Sequence, residues 1–265
     1  YYPELIRIEG PDRVGALMAA VVERTARLAA RWIMAGFVHG VLNTDNMNVT
    51  GESFDYGPYR FLPFYDPGFT AAYFDHSGLY AFGRQAESVF WNLQQLAGCL
   101  TLAVENHQPL VEALNRFNDA YQREIRIAFV ERLGVRSRGF EADGALAVAG
   151  LKLLSEGGAA LRWEPLFFDW HGGAASHARA VEGPRKAVYA GEAFETFRAL
   201  LDAYEPVDPG RTAQPFFQRS EPQELLYDEI EAIWAAIDKD DDWGPFQAKV
   251  AALGEAREAY ALGAP

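Results

Sequence analysis

A single cysteine, Cys99, stands among 265 residues, so no disulfide can close within the chain. Such scarcity fits a reducing compartment, and a cytoplasmic location is the expectation. Cations are also in short supply. The 24 Lys and Arg face 37 Asp and Glu, for a formal net charge of -13. Nucleic-acid backbones are gripped largely by Lys and Arg neutralising phosphates, so no nucleic-acid partner is expected. No run of about eighteen apolar residues occurs, hence no membrane span is expected, and no signal peptide is legible. The chain begins at Tyr1 rather than Met, which reads as a piece of a longer polypeptide. What is there is apolar bulk: 49% hydrophobic and 14% aromatic residues, enough core for one large domain or two small ones.

Helical spacing dominates the chain. Pro11 suits a first helical position. Val14, Leu17, Met18, Val21, Val22, Leu28, Ala29, Trp32 and Ile33 then mark one apolar face, with Arg24, Arg27 and Arg31 off it and Gly36 as a stop. Met47–Val49 and Ser53–Asp55 are short strand candidates around Thr50-Gly51-Glu52. Residues 56–80, rich in Gly, Pro and aromatics, read as an ordered loop. Helical spacing returns over 85–104 and over 108–133, the second expected as one continuous helix. Asp143 is expected to cap a helix running to Leu154, and 161–173 to form an interhelical loop. A helix over 193–204, a surface linker over 205–219 and a Ser220/Gln223 capping box for a helix reaching Ile237 complete the pattern, with a last helix over 245–262.

The chemistry-bearing stretch runs from Val38 to Pro58, V-H-G-V-L-N-T-D-N-M-N-V-T-G-E-S-F-D-Y-G-P. Asp45, Asn46 and Asp55 place three oxygen-bearing side chains within eleven residues, and Gly51 interrupts the run between them. That content suits a strand-turn-strand ribbon holding a divalent cation. Mg2+ takes one or two carboxylates and completes its shell with phosphate oxygens and water. In kinase-type phosphoryl transfer, an Asn of the catalytic loop and the Asp of D-F-G hold the metal, while another Asp accepts the substrate proton. Here Asp55-Tyr56-Gly57 stands where D-F-G would, and Asn46 lies nine residues before it. His39 lies seven residues before Asn46, the spacing of H-x-D-x-x-x-x-N. Val41 fills the place of the usual catalytic Asp and cannot take a proton; an acid reappears at Asp45. From these residues alone, all three could equally be turn formers. Asp45 could be a base, a metal ligand or a brace, and His39 reads as structural rather than catalytic.

H-G-V-L-N-T-D-N-M followed by D-Y-G-P closely resembles the selenoprotein O (SelO, YdiU) family. The similarity continues through Tyr65-Asp66-Pro67-Gly68-Phe69, Asp75-His76, Tyr80-Ala81-Phe82 and Phe90-Trp91-Asn92-Leu93. It is strong over about residues 1–105 and loose beyond. The resemblance implies a protein-kinase-like fold and a protein adenylyltransferase activity. That activity moves AMP from ATP, bound inverted relative to protein kinases, onto Ser, Thr or Tyr hydroxyls of proteins. It also implies Asp45 as proton acceptor, Asn46 and Asp55 as ligands of Mg2+ (Mn2+ could replace it), and Asp55 close to ATP.

The expected architecture is therefore mainly α with a small β-ribbon, a kinase-like C-terminal lobe. Residues 1–105 would hold the catalytic and metal loops, and 106–265 a helical extension. No Gly-rich loop followed by a strand Lys, the elements that cover ATP phosphates in kinases, precedes His39. The N-terminal nucleotide lobe is thus expected to be missing from this chain, and the chain alone to be inactive. The family's C-terminal Cys or selenocysteine pair is not found in Leu262-Gly263-Ala264-Pro265. Two other readings stay open. One is a kinase-type phosphotransferase using the γ-phosphate, because H-G-x-x-x-x-x-N is shared with antibiotic phosphotransferases, although Val41 lacks their base. The other is a non-catalytic pseudokinase module.

Several further signals read as structural. Asp75-His76 has no nucleophilic serine beside it. Asp169, His171 and His177 lack metal-site spacing. In Asp238-x-Asp240-x-Asp242 the Gly and Glu of a calcium loop are replaced by Trp243 and Lys249. Cys99 is expected to be a buried small hydrophobe on an apolar helix face.

Overall fold

Pro11 sits at the N-cap of the first helix, one position before the expected one, and Gly36 ends it at φ 64°. The backbone N–H of Gly36 closes on Ile33 O at 3.0 Å, the left-handed glycine stop that the sequence predicts. Arg24, Arg27 and Arg31 all lie on its exposed side. The computed structural model describes residues 1–262; the last three, Gly263–Pro265, lie outside the described residues. The order is α1 (Asp12–Met34), β1 (Phe37–Val38), β2 (Arg60–Phe61), α2 (Gln85–Leu100), α3 (Gln108–Asn115), α4 (Phe117–Arg132), α5 (Phe140–Gly157), α6 (Trp163–Asp169), α7 (His177–Glu182), α8 (Gly191–Leu201), α9 (Tyr227–Asp240) and α10 (Gly244–Ala259). Strands β1 and β2 pair with each other, so the fold is mainly helical with a small sheet. No helix among the described residues is long and apolar enough to cross a membrane. The chain divides into two compact units. The first takes Tyr1–Arg60 and Asp66–Ala128; the second takes Phe61–Tyr65 and the residues from Phe129 onward.

In the first unit α1 packs on α2 and α3. Met18, Val22, Ala26 and Ala29 of α1 meet Val89, Leu93 and Ala97 of α2 and Leu110 and Ala113 of α3 in one buried cluster. Burying each of the larger side chains stabilises the fold by about 1.5–3 kcal/mol. Gly15 permits the α1–α3 approach, since a Cβ there would stand 2.6 Å from Pro109 Cβ. The helix expected over 108–133 is broken at Arg116, where the N–H bonds to Ala113 O at 3.2 Å and α4 begins anew. Arg116 keeps near-helical angles (φ -79°, ψ -13°), so the apolar phase runs through the break and hides it from a periodicity reading. Cys99 is exposed rather than buried. The buried face of α2 runs through Val89, Asn92, Leu93 and Ala97, and position 99 turns away from it.

In the second unit α5 packs on α8, and α9 on α10. The segment expected as a loop over 161–173 contains α6, buried at Trp163, Leu166, Phe167 and Phe168. Six of its seven residues are buried, Glu164 being the exception, so no amphipathic period marks the helix in sequence. Asp143 is not the N-cap of α5; Gly139 is, at φ 97°. The Asp143 carboxylate instead accepts Arg138 N–H at 3.0 Å and Tyr204 OH at 2.9 Å, and a hydroxyl bond from Ser137. The proposed surface linker over 205–219 is only partly one: Phe216 and Phe217 are buried against Phe168. Nor does the Ser220/Gln223 capping box form, because α9 starts at Tyr227. Glu221 and Glu224 are instead held by Arg162, each at 2.7 Å. Asp169 forms a buried two-point pair with Arg185, at 2.6 and 2.7 Å, and accepts Tyr189 OH at 2.5 Å. His171 stacks on Phe217.

Candidate active site

Residues 39–55 fold as a loop and a tight hairpin against α1 and α2. The two strand candidates reduce to a single antiparallel bridge, Met47 to Ser53. Asn48 N–H bonds to Glu52 O at 2.8 Å and Gly51 N–H to Asn48 O at 3.0 Å, closing the turn. Gly51 has φ 78°, and a Cβ there would stand 2.5 Å from Arg24 Cβ, so only glycine lets the tip rest on α1. At the open end, Phe54 N–H bonds to Asn46 O at 3.2 Å. The hairpin therefore sets Asn46 across from the residue before Asp55. Extended pairing stops there because Asp55 turns left-handed, at φ 62°.

Asn46 is buried, and its Nδ2 donates to Val41 O at 3.0 Å. That bond fixes the orientation of the amide. Asp55 is exposed, and no hydrogen bond holds its carboxylate among the described residues. Asp45 is also exposed and lies on the 3-10 turn Thr44–Asn46, directly before Asn46. The sequence-predicted trio is thus brought to one end of one hairpin. Among the described residues, no three His, Cys, Asp or Glu gather into a metal cage.

His39 is fully buried. Its Nε2–H donates to Phe54 O at 3.1 Å, and Nδ1 accepts Val41 N–H at 3.4 Å. The ring lies against Trp32, Phe37 and Tyr56. Burial lowers its pKa below the ordinary histidine value, against opposing pulls from the Phe54 bond and the Asp55 charge. A neutral, doubly bonded imidazole braces the loop; it does not face solvent as a base would. Asn43 precedes the 3-10 turn that carries Asp45. It makes no side-chain bond to backbone, and its Oδ1 instead accepts the Tyr80 hydroxyl at 2.5 Å.

Three positioning residues escape a sequence reading. Gln85, fully buried on α2, accepts His39 N–H at 2.9 Å and donates to Phe37 O at 2.8 Å. Seven residues later on the same face, Asn92 donates to Leu42 O at 2.9 Å. Their signal was available: two amides, two helical turns apart, on the buried stripe that also holds Val89, Leu93 and Ala97. Tyr80 is the third. Burial raises its phenol pKa, and the charges of Asp75 and Asp45 push the same way, so it stays a donor at neutral pH. Asp75 does not orient His76; its carboxylate accepts the backbone N–H groups of Leu79 and Tyr80, each at 2.8 Å. A cavity of about 630 Å³ opens beside this segment, lined by Pro67, Thr70, Ala71, Tyr73, Asp75 and Arg84 among others. One of its lining residues abuts the 39–46 loop: at Gly40 a Cβ would lie 3.1 Å from Ala71 Cβ.

Comparison with known proteins places the sequence in a family. A family described as protein adenylyltransferase SelO matches residues 1–253. A protein nucleotidyltransferase YdiU of Trichodesmium erythraeum is 37% identical over 239 residues, covering 85% of this chain and 48% of that protein. The YdiU of Gloeobacter violaceus is 37% identical over 259 residues, covering 95% and 52%. That of Synechocystis is 35% identical over 262 residues, covering 93% and 54%. The chain spans about half the length of these curated relatives. On the match over nearly its full length, the chain belongs to the SelO family.

Proposed function

We propose that this chain carries the metal-holding and acceptor-activating half of a protein adenylyltransferase, on a kinase-like C-terminal lobe. The reaction moves AMP from ATP to a Ser, Thr or Tyr hydroxyl of a protein. The observation that carries the reading is the hairpin that sets Asn46 Oδ1 and the Asp55 carboxylate at one end, with Asp45 on the adjoining turn. The family match and the nucleotidyltransferase names of the relatives support the chemistry.

The donor set fits a hard cation. Asn46 and Asp55 offer one neutral and one anionic oxygen, and Mg2+ or Mn2+ would complete its shell with phosphate oxygens and water. When bound, such an ion offsets charge on the triphosphate as it develops in transfer. The chain's own residues do the rest. Asp45 takes the proton of the acceptor hydroxyl. That oxygen forms a bond to the α-phosphorus, the α–β phosphoanhydride bond breaks, and pyrophosphate leaves with its electron pair. His39, Gln85 and Asn92 hold the loop while this occurs. The protein partners are those bearing accessible hydroxyls, and ATP is the co-substrate.

The test compares α- and γ-labelled 32P-ATP with Mg2+, using the intact gene product, residues 1–265 alone, and Asp55→Ala in each. Protein-bound label from the α position, lost in Asp55→Ala, is the expected result. Label from the γ position alone would replace the reading with a kinase. No label from either, together with no nucleotide-dependent rise in Tm, would leave a non-catalytic module.

A further inference from the structure

The turn that carries Asp45 is short and weakly built. Thr44–Asn46 is one 3-10 turn, the preceding Asn43 provides no side-chain cap, and the backbone bond that closes it among the described residues is Asn46 N–H to Asn43 O, at 3.1 Å. Three-residue 3-10 turns have poor hydrogen-bond geometry and need outside support to hold one conformation. Asn46 is held locally through Val41 O and Phe54 N–H; at the Asn43 end, support comes from a distant segment. Asp75 pins the backbone of Leu79 and Tyr80 through two N–H bonds, and Ser88 Oγ on α2 donates to Leu79 O at 3.0 Å. With its backbone held from both sides, Tyr80 extends its hydroxyl to Asn43 Oδ1.

We infer that Tyr80 is a positioning residue for transfer, latching the turn through Asn43 so that the Asp45 carboxylate meets the acceptor hydroxyl. The inference rests on Asp45 being the proton acceptor proposed above. Tyr80 touches neither the cation ligands nor the nucleotide in this scheme. Its loss therefore lowers turnover and spares nucleotide affinity. The latch acts through one partner, so removing Asn43 and Tyr80 together does no more harm than removing either.

The experiment uses the intact gene product as wild type, Tyr80→Phe, Asn43→Ala and the double variant. Three quantities are read: the rate of α-32P-AMP transfer onto the protein itself and onto dephosphorylated casein as a probe, the apparent KM for ATP, and hydrogen exchange across residues 41–50. Tyr80→Phe keeps the ring and should keep the fold, with Tm within a few degrees. The expected result is a rate lowered roughly ten- to a hundredfold, the scale on which small misplacements act, with KM for ATP unchanged and faster exchange at the Asn46 amide. The double variant should match the single ones, the non-additivity of two partners in one contact. Full transfer in Tyr80→Phe, or unchanged exchange in 41–50, or losses that add in the double variant, would overturn the latch alone. Absence of α-label from wild type would overturn the proposed function and the latch with it.

Discussion

His39 donates from Nε2 to the carbonyl oxygen of Phe54 at 3.1 Å, which ties the residue before Asp55 to the loop that carries Asn46. The same ring fills the space beside Trp32 and Tyr56. Replacing it with alanine removes the bond and opens a cavity in one step. His39→Ala should therefore lower the unfolding free energy by about 2–4 kcal/mol. Urea unfolding at pH 7 measures this; a loss below about 1 kcal/mol would mean that the ring is not the brace described.

Gln85 stands in for a third strand, satisfying one donor and one acceptor of the segment 37–39 from inside a helix. Gln85→Leu removes both bonds and takes from the buried His39 N–H its side-chain acceptor, at a cost of about 1–3 kcal/mol. Gln85→Glu separates the two bonds. It still accepts from His39 N–H, but an ionised carboxylate would face Phe37 O. Its folded-state pKa should lie above the unfolded value of about 4.3. The variant is therefore at its most stable below that pH and loses stability as pH rises through the folded value. Unfolding free energies at pH 4 and pH 7 give the sign directly.

Gly51 carries a backbone conformation and a contact that no side chain tolerates. Its φ is 78°, and an added Cβ would lie 2.5 Å from Arg24 Cβ and 3.1 Å from the Arg24 carbonyl carbon. Gly51→Ala should cost about 1–3 kcal/mol, and it should also lift the hairpin tip from α1. Hydrogen exchange over residues 47–53 is the readout that separates these effects from a general loss of stability. Protection there should fall more than protection in α2.

Local patterns were legible in the sequence; long-range side-chain work was not. The apolar face of α1 and the glycine stop at Gly36 follow from spacing and from backbone preference, and both are seen. The spacing of Asn46 and Asp55 around Gly51 likewise foretold a hairpin, though as two strands where one bridge suffices. The roles of Gln85, Asn92 and Tyr80 depend on bonds spanning 37 to 50 residues, which no periodicity carries. α6 is buried at six of its seven residues and so lacks an amphipathic signature. The strap around Glu221 and Glu224 follows charges on Arg162 and Arg185 that lie far away in sequence. It therefore displaced the capping box that local pattern suggested.

The same distant packing sets the protein's response to acid. His171 is buried, stacked on Phe217 at a centroid distance of 4.8 Å, with Nδ1–H donating to Arg132 O. Burial, reinforced by the nearby guanidinium groups of Arg211, Arg179 and Arg132, lowers its pKa to about 4. The unfolded chain takes up this proton near pH 6.5 and the folded one only near 4, so stability falls as pH drops through that window. The full loss is roughly 3 kcal/mol. Glu224 works in the opposite direction. Its pKa is raised to about 6 by burial, so the folded state gains its proton first and recovers roughly 2 kcal/mol as pH falls from about 6 to 4.5. Of the two, the His171 contribution is larger and extends further into acid. His171→Phe keeps the ring stack and cannot bind a proton. In urea unfolding between pH 7.5 and 4, the variant should lose less stability than wild type, by up to about 3 kcal/mol at the acid end. Glu224→Gln should lose more than wild type between about pH 6 and 4.5. Parallel pH curves for wild type and His171→Phe would show that acid sensitivity resides elsewhere.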